Sequence, residues 1–388
     1  MYNIKLLNKI AKIGTDNFNK NKYTLSENIN DPDAVLVRSA DMHAAPLNPS
    51  LKAIARAGAG VNNIPVDECS KRGIVVFNTP GANANGVKEL TIASLLLASR
   101  DIVAGICWAN SLCGQAGVAK TIETGKSKFA GCELEGRTLG VIGLGAIGGM
   151  VANAAKALGM EVIGFDPYIT VDAAWGLSRS VRRASGYDEI YACSDYITVH
   201  APATAETKGM FCTASIAKMK DGVRIINLSR ADLVNTADML AALSSGKVAR
   251  YVTDFPTEEL IDKEGVIAIP PLGASTAESE DNCAVMAVRQ LAEFLENGNI
   301  KNSVNYPDTS MPHDGDARVC VMHANKPNML SQISSLISAR NINIENMINR
   351  SRGDYAYTII EITGEVPSGV AAEIGAIDGI YNVNLIVK

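Results

Sequence analysis

The sequence reads as an α/β protein built on a doubly wound parallel sheet and ending in a small βαββαβ module. The first observation behind this is strand–helix alternation between about 101 and 287, with apolar strands at 138–142, 161–165, 196–199, 223–227 and 266–269. The second is the run Thr138-Leu-Gly-Val-Ile-Gly143-Leu-Gly145-Ala146-Ile147-Gly148, in which a strand enters a glycine turn and leaves as the helical stretch AIGGMVANAAKALG. The third is the pattern near the end: strand (318–323), helix (328–340), strand (342–350), strand (355–362), helix (367–376) and strand (380–387). That order is the order of a ferredoxin-like module.

The remaining elements are set by spacing and punctuation. Ala34–Val37, Lys52–Arg56 and Ile74–Phe77 read as short strands between Gly- and Pro-marked turns, an α/β pattern upstream of the main sheet. Residues 87–112 carry helical spacing in a nearly all-apolar sequence, suited to bridging domains or to packing against a second subunit in a homodimer or larger homo-oligomer. The stretch 283–298 reads as an amphipathic helix ending at Gly298, which could return the chain to the first domain. NSVNYPDTSMPHDGDA, rich in Asn, Pro, Asp and Gly, reads as a linker.

Bulk properties bound the function. A chain of 388 residues exceeds what one core usually holds, so two or three domains are expected. Hydrophobic residues at 47% against 20% charged supply buried cores and exclude a disordered polymer. A net charge of −5 without a long basic run excludes a nucleic-acid footprint. The start is too polar for a signal peptide and no stretch approaches the roughly 20 apolar residues of a membrane span, so a cytoplasmic protein with no membrane partner is expected. Eight cysteines without a CxxC or a Cys/His cluster read as reduced, mostly structural thiols, with no metal site.

The glycine run carries the chemistry. Gly143 permits the tight turn, Gly145 lets backbone approach a pyrophosphate, and Gly148 allows close helix–strand packing, while Ala146 and Ile147 open the helix whose N–H groups face the phosphates. A second strand, 161–165, ends at Asp166, eighteen residues past Gly148, where a carboxylate accepts hydrogen bonds from an adenosine ribose. The same carboxylate repels a 2′-phosphate, so the cofactor is expected to be NAD rather than NADP.

With these residues in view the chain resembles the D-isomer-specific 2-hydroxyacid dehydrogenases. The resemblance runs through LVRSADMH (36–43), ARAGAGVNNIPVDECSKRGIVVFNTPGANANGVKEL (55–90), GRTLGVIGLGAIG (136–148), ITVHAPATAETKGM (197–210), INLSRADLVN (226–235) and PPLGAST (270–276). It implies a flavodoxin-like substrate domain formed by 1–100 and 287–305, a Rossmann NAD-binding domain inserted at 101–286, a linker at 306–316 and an ACT regulatory domain at 317–388. The implied reaction is NAD-dependent oxidation of D-3-phosphoglycerate to 3-phosphohydroxypyruvate, the first step of L-serine biosynthesis. Another D-2-hydroxy acid is the alternative substrate.

The resemblance also implies roles. Arg230 would hold the substrate carboxylate through its planar fork, although an Arg after an apolar strand otherwise serves as a surface ion-pair partner. Glu258 aligns with the family's acidic catalytic residue, the alternative being a solvated loop residue. Arg38 and Ser39 resemble contacts to a substrate phosphate, and Gly60, Val61 and Asn83 fall where the family binds substrate. His200, Pro202, Thr207, Ser229, Asp254 and Gly273 are implied cofactor contacts, with Asp254 one position later than the family's usual Asp. Within the ACT-like module Asn328 replaces a glycine, and His323, Asn325 and Asn343 match positions that bind the effector L-serine in some members; a purely structural, dimerising module is the alternative.

One departure bears on turnover. The family takes the hydroxyl proton with a histidine in Pro-His-x-Gly-x-Ser-Thr, because an imidazole titrates near neutrality. Here Pro271 occupies that position, and proline has neither a titratable group nor a side-chain donor. Three readings are open: slower turnover through another group or water, a silent NAD- and serine-binding regulatory protein, or a loop shifted by one residue.

Overall fold

The computed structural model describes residues 1–364 and 369–387, so the first residues of the helix expected at 367–376 lie outside the described residues. The chain packs as two compact units, an outer unit of 1–83 with 277–388 and a middle unit of 84–276.

The outer unit opens with β1 (Tyr2–Leu7), α1 (Lys12–Thr15), β2 (Tyr23–Ser26), β3 (Ala34–Val37), β4 (Ala53–Arg56), α2 (Val66–Lys71) and β5 (Val75–Phe77). The strands are parallel in the order β2-β1-β3-β4-β5, which is the flavodoxin-like order. All four residues of β3 are buried, the signature of a strand covered on both faces, and its continuous apolar run is legible for that reason. β1 and β2 go unread in the sequence because they form the open end of the sheet, where β1 buries only Ile4.

The middle unit carries α3 (Ala84–Ser99), α4 (Ile102–Ser111), α5 (Val118–Gly125), β6 (Thr138–Ile142), α6 (Ala146–Ala157), β7 (Glu161–Phe165), α7 (Val171–Trp175), β8 (Arg182–Arg183), α8 (Tyr187–Cys193), β9 (Tyr196–Val199), α9 (Thr213–Ala217), β10 (Val223–Asn227), α10 (Thr236–Ser244), β11 (Val248–Thr253) and β12 (Val266–Ala268). Its seven strands are parallel in the order β12-β11-β10-β9-β6-β7-β8. The order reverses between β6 and β9, the switch point at which doubly wound sheets bind ligands.

The single helix expected over 87–112 is broken into α3 and α4, whose axes are bent by 69°. Ser99 ends α3: its carbonyl accepts Cys132 N–H at 3.1 Å, and its hydroxyl lies 2.6 Å from Leu95 O and 2.7 Å from the Tyr196 hydroxyl. α3 buries Val87, Leu95 and Ala98 against Leu139 and Val141, so the boundary falls after Asn83 rather than after residue 100. α4 buries nothing and leaves Val103 and Ile106 half exposed. No single helix among the described residues is long and apolar enough to cross a membrane.

The chain returns through α11 (Ala277–Asn297), which starts ten residues earlier than the expected return point at 287. Its Ala284, Ala287 and Leu291 share a core with Ile4, Ala34 and Phe77, which assigns the whole helix to the outer unit. β13 (Ala317–Ala324), α12 (Met329–Ala339), β14 (Asn343–Arg352), β15 (Tyr355–Thr363), α13 (Val370–Gly375) and β16 (Ile380–Val387) complete a four-stranded antiparallel sheet in the order β14-β15-β13-β16. Asn328, at φ 68°, supplies the left-handed residue before α12.

Period-two alternation gives β13 two apolar faces. Val319 and Val321 pack with Ile333, Ile337 and Ile374 of the module's own helices, whereas Cys320 and Met322 join Ile4, Phe77 and Phe294. The module is therefore fused to the outer unit's core, and 306–316 is no loose linker. Tyr306 is fully buried with its hydroxyl donating to Ser70 O at 2.7 Å, and Asn305 Oδ1 accepts Val76 N–H from the edge of β5 at 2.9 Å. Asn305, one of the residues that suggest a linker, serves here to satisfy a sheet edge.

Candidate active site

The glycine turn stands at the switch point of the middle unit. Gly143 has φ +86° and a Cβ there would lie 2.6 Å from His200 O, so only glycine fits. A Cβ on Gly148 would lie 1.9 Å from Gly143 O, which fixes how closely α6 crosses the turn. Gly145 differs: at φ −70° its backbone is ordinary, and a Cβ would meet nothing within 4 Å. The space above it is open, no side chain caps α6, and the first turn, which begins Ala146, Ile147, Gly148, holds no acidic residue. A pyrophosphate fits that cradle.

Asp166, just beyond β7, is held by two backbone donors, Leu144 N–H on Oδ2 at 2.9 Å and Tyr168 N–H on Oδ1 at 2.8 Å. Each oxygen keeps a lone pair for a ribose diol. His200, following β9, shares a hydrogen bond between Nε2 and Thr198 Oγ1 (3.0 Å), while Nδ1 is buried with no partner and burial pushes the imidazole down to about 4. An unpartnered ring nitrogen beside an open cradle fits a bound ligand. Thr207 Oγ1 donates to Pro202 O at 2.6 Å and Ser229 Oγ to Val199 O at 2.7 Å, so these residues brace the loops after β9 and β10. The Gly273 position is buried, and a Cβ there would press Val87 at 3.1 Å.

Arg230 is presented by a turn that Asn227, which no sequence motif singles out, folds from inside. The Asn227 amide donates to Arg230 O at 2.8 Å and its Oδ1 accepts the N–H groups of Ser229 and Arg230. The guanidinium is exposed, donates to Ser229 O at 2.7 Å, and forms no ion pair among the described residues, which leaves its fork free for a carboxylate. β10 and β11 pair with Asn227 opposite Thr253, so Arg230 and Asp254 leave neighbouring strand ends. Asp254 is 8% exposed, and its Oδ1 is buried without a hydrogen-bond partner. Burial lifts this carboxyl to about 6, partly offset by a backbone hydrogen bond at Asp254 itself and then by the positive charge of Arg230.

Glu258 is exposed past β11 and has no hydrogen bond or ion pair among the described residues, the solvated-loop arrangement. Pro271 is exposed in the loop after β12; its carbonyl accepts Ser275 Oγ at 3.1 Å, and no proton-carrying side chain replaces it there. The loop starts beside Asp254, since Ile269 N–H donates to Thr253 O at 2.8 Å.

In the outer unit the carboxyl ends of β3 and β4 bring two cations together. Arg38 pairs with Glu280 at 2.5 Å, and Arg56, unread in the sequence, donates through Nε to Arg38 O at 3.0 Å. Burial and then the nearby Arg38 hold the Arg56 guanidinium below its ordinary value. Ser39 N–H donates to Asn8 Oδ1 at 3.0 Å, and Gly60, Val61 and Asn83 are all partly or largely open to solvent. In the C-terminal module His323 is 2% exposed with Nδ1 at 2.8 Å from Ala324 O and Nε2 at 2.8 Å from Thr358 Oγ1, so neither nitrogen is available to an effector. Asn325 and Asn343 are exposed; their amides donate to Gly353 O at 2.9 Å and Glu345 Oε1 at 3.0 Å.

A Rossmann sheet with this turn, this carboxylate and a free arginine at its carboxyl edge defines an NAD-dependent dehydrogenase. Residues 100–276 match the NAD-binding domain of the D-isomer-specific 2-hydroxyacid dehydrogenases. Over 367 residues the chain is 30% identical to D-3-phosphoglycerate dehydrogenase 1 of Saccharomyces cerevisiae, covering 87% of this chain and 74% of that protein. It is 36% identical over 329 residues to D-3-phosphoglycerate dehydrogenase of Bacillus subtilis, covering 82% of this chain but only 59% of the Bacillus protein's length. An NAD+-bound 3-phosphoglycerate dehydrogenase from Entamoeba histolytica superposes with a TM-score of 0.59 at 26% identity, covering 78% of this chain and 98% of that one. D-mandelate dehydrogenase of Rhodotorula graminis shares the fold with a TM-score of 0.67 at 22% identity, covering 80% and 99%. The chain belongs to the D-isomer-specific 2-hydroxyacid dehydrogenase family, and its cofactor is NAD.

Proposed function

We propose that the chain oxidises D-3-phosphoglycerate to 3-phosphohydroxypyruvate, and catalyses the reduction in the reverse direction. The observation that carries this reading is Arg230, unpaired at the carboxyl edge of an NAD-binding sheet, in a chain that aligns with D-3-phosphoglycerate dehydrogenases over most of its length. NAD, when bound, accepts the hydrogen of substrate C2 with its electron pair. Arg230 binds the substrate carboxylate and so orients C2. In this reading the C-terminal module is an ACT-type domain, Asn325 and Asn343 are its residues for L-serine, and the apolar side of α4 closes a homodimer in the cytoplasm.

Pro271 also favours a second reading, a protein that binds NAD and serine without chemistry. Assay of phosphohydroxypyruvate reduction beside a Pro271→His variant separates the two, with glycerate and lactate as rival substrates. Weak but measurable turnover is expected, raised in the variant by at most the roughly 10²–10⁴-fold that a positioned general base contributes. If neither protein turns over while NADH still quenches, the silent reading holds. If the histidine gains nothing, residue 271 is not where the proton leaves.

A further inference from the structure

On the dehydrogenase reading proposed above, oxidation of a hydroxyl needs a group that takes its proton, and the loop that should provide one carries Pro271. Of the titratable groups at the carboxyl edge of the middle unit besides Arg230, Asp166 is already held by two backbone donors, and three others come into question. Glu258 is exposed and makes no hydrogen bond or ion pair among the described residues. His200 follows β9 on the side of the glycine turn, and its Nε2 is taken by Thr198. Asp254 is the buried carboxylate, with an oxygen that no donor reaches.

Its placement is set by backbone pairing. Asn227 and Thr253 are register partners, Arg230 lies three residues past the first and Asp254 one residue past the second. Ile269 N–H is tied to Thr253 O at 2.8 Å, so the Pro270–Pro271 segment starts beside the same point. Arg230 therefore holds the substrate carboxylate next to Asp254, and the reacting hydroxyl sits on the carbon bonded to that carboxylate. A carboxylate oxygen sealed from water without a donor lowers stability and persists where a ligand's proton completes it.

We propose that Asp254 Oδ1 accepts the C2 hydroxyl proton, taking the role that Pro271 vacates. The O–H bond breaks as the proton passes to Oδ1. The C2–H pair leaves with its hydrogen for the nicotinamide ring, and the C2–O bond becomes a carbonyl. Asp254 is left as a neutral carboxylic acid, which loses that proton once the product has left; in reduction the same acid donates to the forming alkoxide. Burial supports both directions, because a carboxyl lifted to about 6 is mostly ionised at neutral pH yet still a usable acid. The titratable groups that act on it are Arg230, from the turn after β10, and Tyr251, on its own strand.

The test uses the full chain as four variants: Asp254→Asn, Asp254→Glu, Pro271→His, and Asp254→Asn combined with Pro271→His. Asp254→Asn is expected to lower kcat by about 10²–10⁴-fold. Its NADH affinity by fluorescence is expected to stay native-like, its melting temperature at pH 7 not to fall, and the acid limb of kcat near pH 6 to vanish. Asp254→Glu should retain part of the rate. Pro271→His should restore activity by a larger factor in the Asp254→Asn background than in the native one, since only there is the imidazole the sole base. A kcat that Asp254→Asn leaves unchanged overturns the proposal, and so does a loss mirrored by weaker NADH binding, which makes Asp254 a cofactor contact. If the native chain oxidises no 2-hydroxy acid, the dehydrogenase reading fails first. Asp254 is then judged by infrared difference spectra of the NADH complex: 3-phosphoglycerate must shift a carboxyl band that Asp254→Asn removes, and no shift rejects the base.

Discussion

His200 shows how a single ring reports on its surroundings. Burial pushes its imidazole to about 4 against an ordinary 6.5, so the folded chain holds it neutral at pH values where the unfolded chain protonates it. Between those two values the unfolded state binds more protons, and stability falls as pH falls, the loss being complete below about 4. The shift corresponds to roughly 3 kcal/mol at most, since part of the residue remains open to solvent. Asp254 has the opposite sign: its raised carboxyl stabilises the fold at low pH and loses that contribution as pH climbs from 3.8 through about 6. Thermal melts between pH 7 and 4 should show a steeper acid limb in the native protein than in His200→Asn, and equal limbs would take the linkage away from this ring. Neither shift is legible in the sequence. Motif neighbours single out His200 and Asp254, but which of their atoms end up sealed without a partner depends on strands brought together by the fold. The same holds for Arg56, whose significance comes from Arg38, eighteen residues away and one strand over.

Among elements, β3, β6, β7, β9 and β10 match the sequence reading residue for residue, because parallel strands covered on both faces carry mostly apolar runs, interrupted in β10 only by Arg224 before its final Asn227. β11 does not: Val-Ala-Arg-Tyr-Val-Thr has a charge in the middle, and Arg250 reaches Asp101 at 3.7 Å from a partly exposed place in the strand. The strand that delivers Asp254 is thus among the least visible in the sheet. The turn between β6 and α6 is fully legible: Gly143 and Gly148 answer to steric demands that no other residue meets, whereas Gly145 leaves open space. Those demands separate two roles. Gly148→Ala drives a methyl to 1.9 Å from Gly143 O, so the helix must move, and a loss of about 1–3 kcal/mol is expected, with NADH binding lost alongside. Gly145→Ala places its methyl in open space at an ordinary φ, so the protein should melt as the native does while binding NADH at least about tenfold more weakly. Melting curves paired with NADH titrations decide it. Native affinity in the Gly145→Ala variant would show that the open space is not where the pyrophosphate lies.

At the scale of the whole chain, the expectation of a regulatory module hung on a linker gives way to an outer unit in which one core runs from the parallel sheet into the module. Composition cannot reveal this, because β13 alternates two apolar faces and a sequence does not say which partner covers the second. The junction contains a feature that makes the fusion testable. Arg318, fully buried, donates to Asn297 O at 2.6 Å and Met311 O at 2.7 Å, and faces Glu361 Oε1 at 3.3 Å. Glu361 in turn accepts Asp314 N–H at 2.8 Å and the Asn346 amide at 3.1 Å. One ion pair therefore ties the end of α11, the 311–314 segment and three strands of the module. Removing one partner of a buried pair strands the other charge, so Arg318→Met is expected to destabilise the chain by about 3–5 kcal/mol, whereas Arg318→Met with Glu361→Leu should recover much of that loss. Because Cys320, Met322 and Tyr357 share a core with Ile4 and Phe294, the outer unit should melt as one transition in every variant. Calorimetry of the native chain and the two variants checks both statements. A separate low-temperature transition for the module, with the rest of the outer unit melting as before, would restore the picture of an independent domain on a tether.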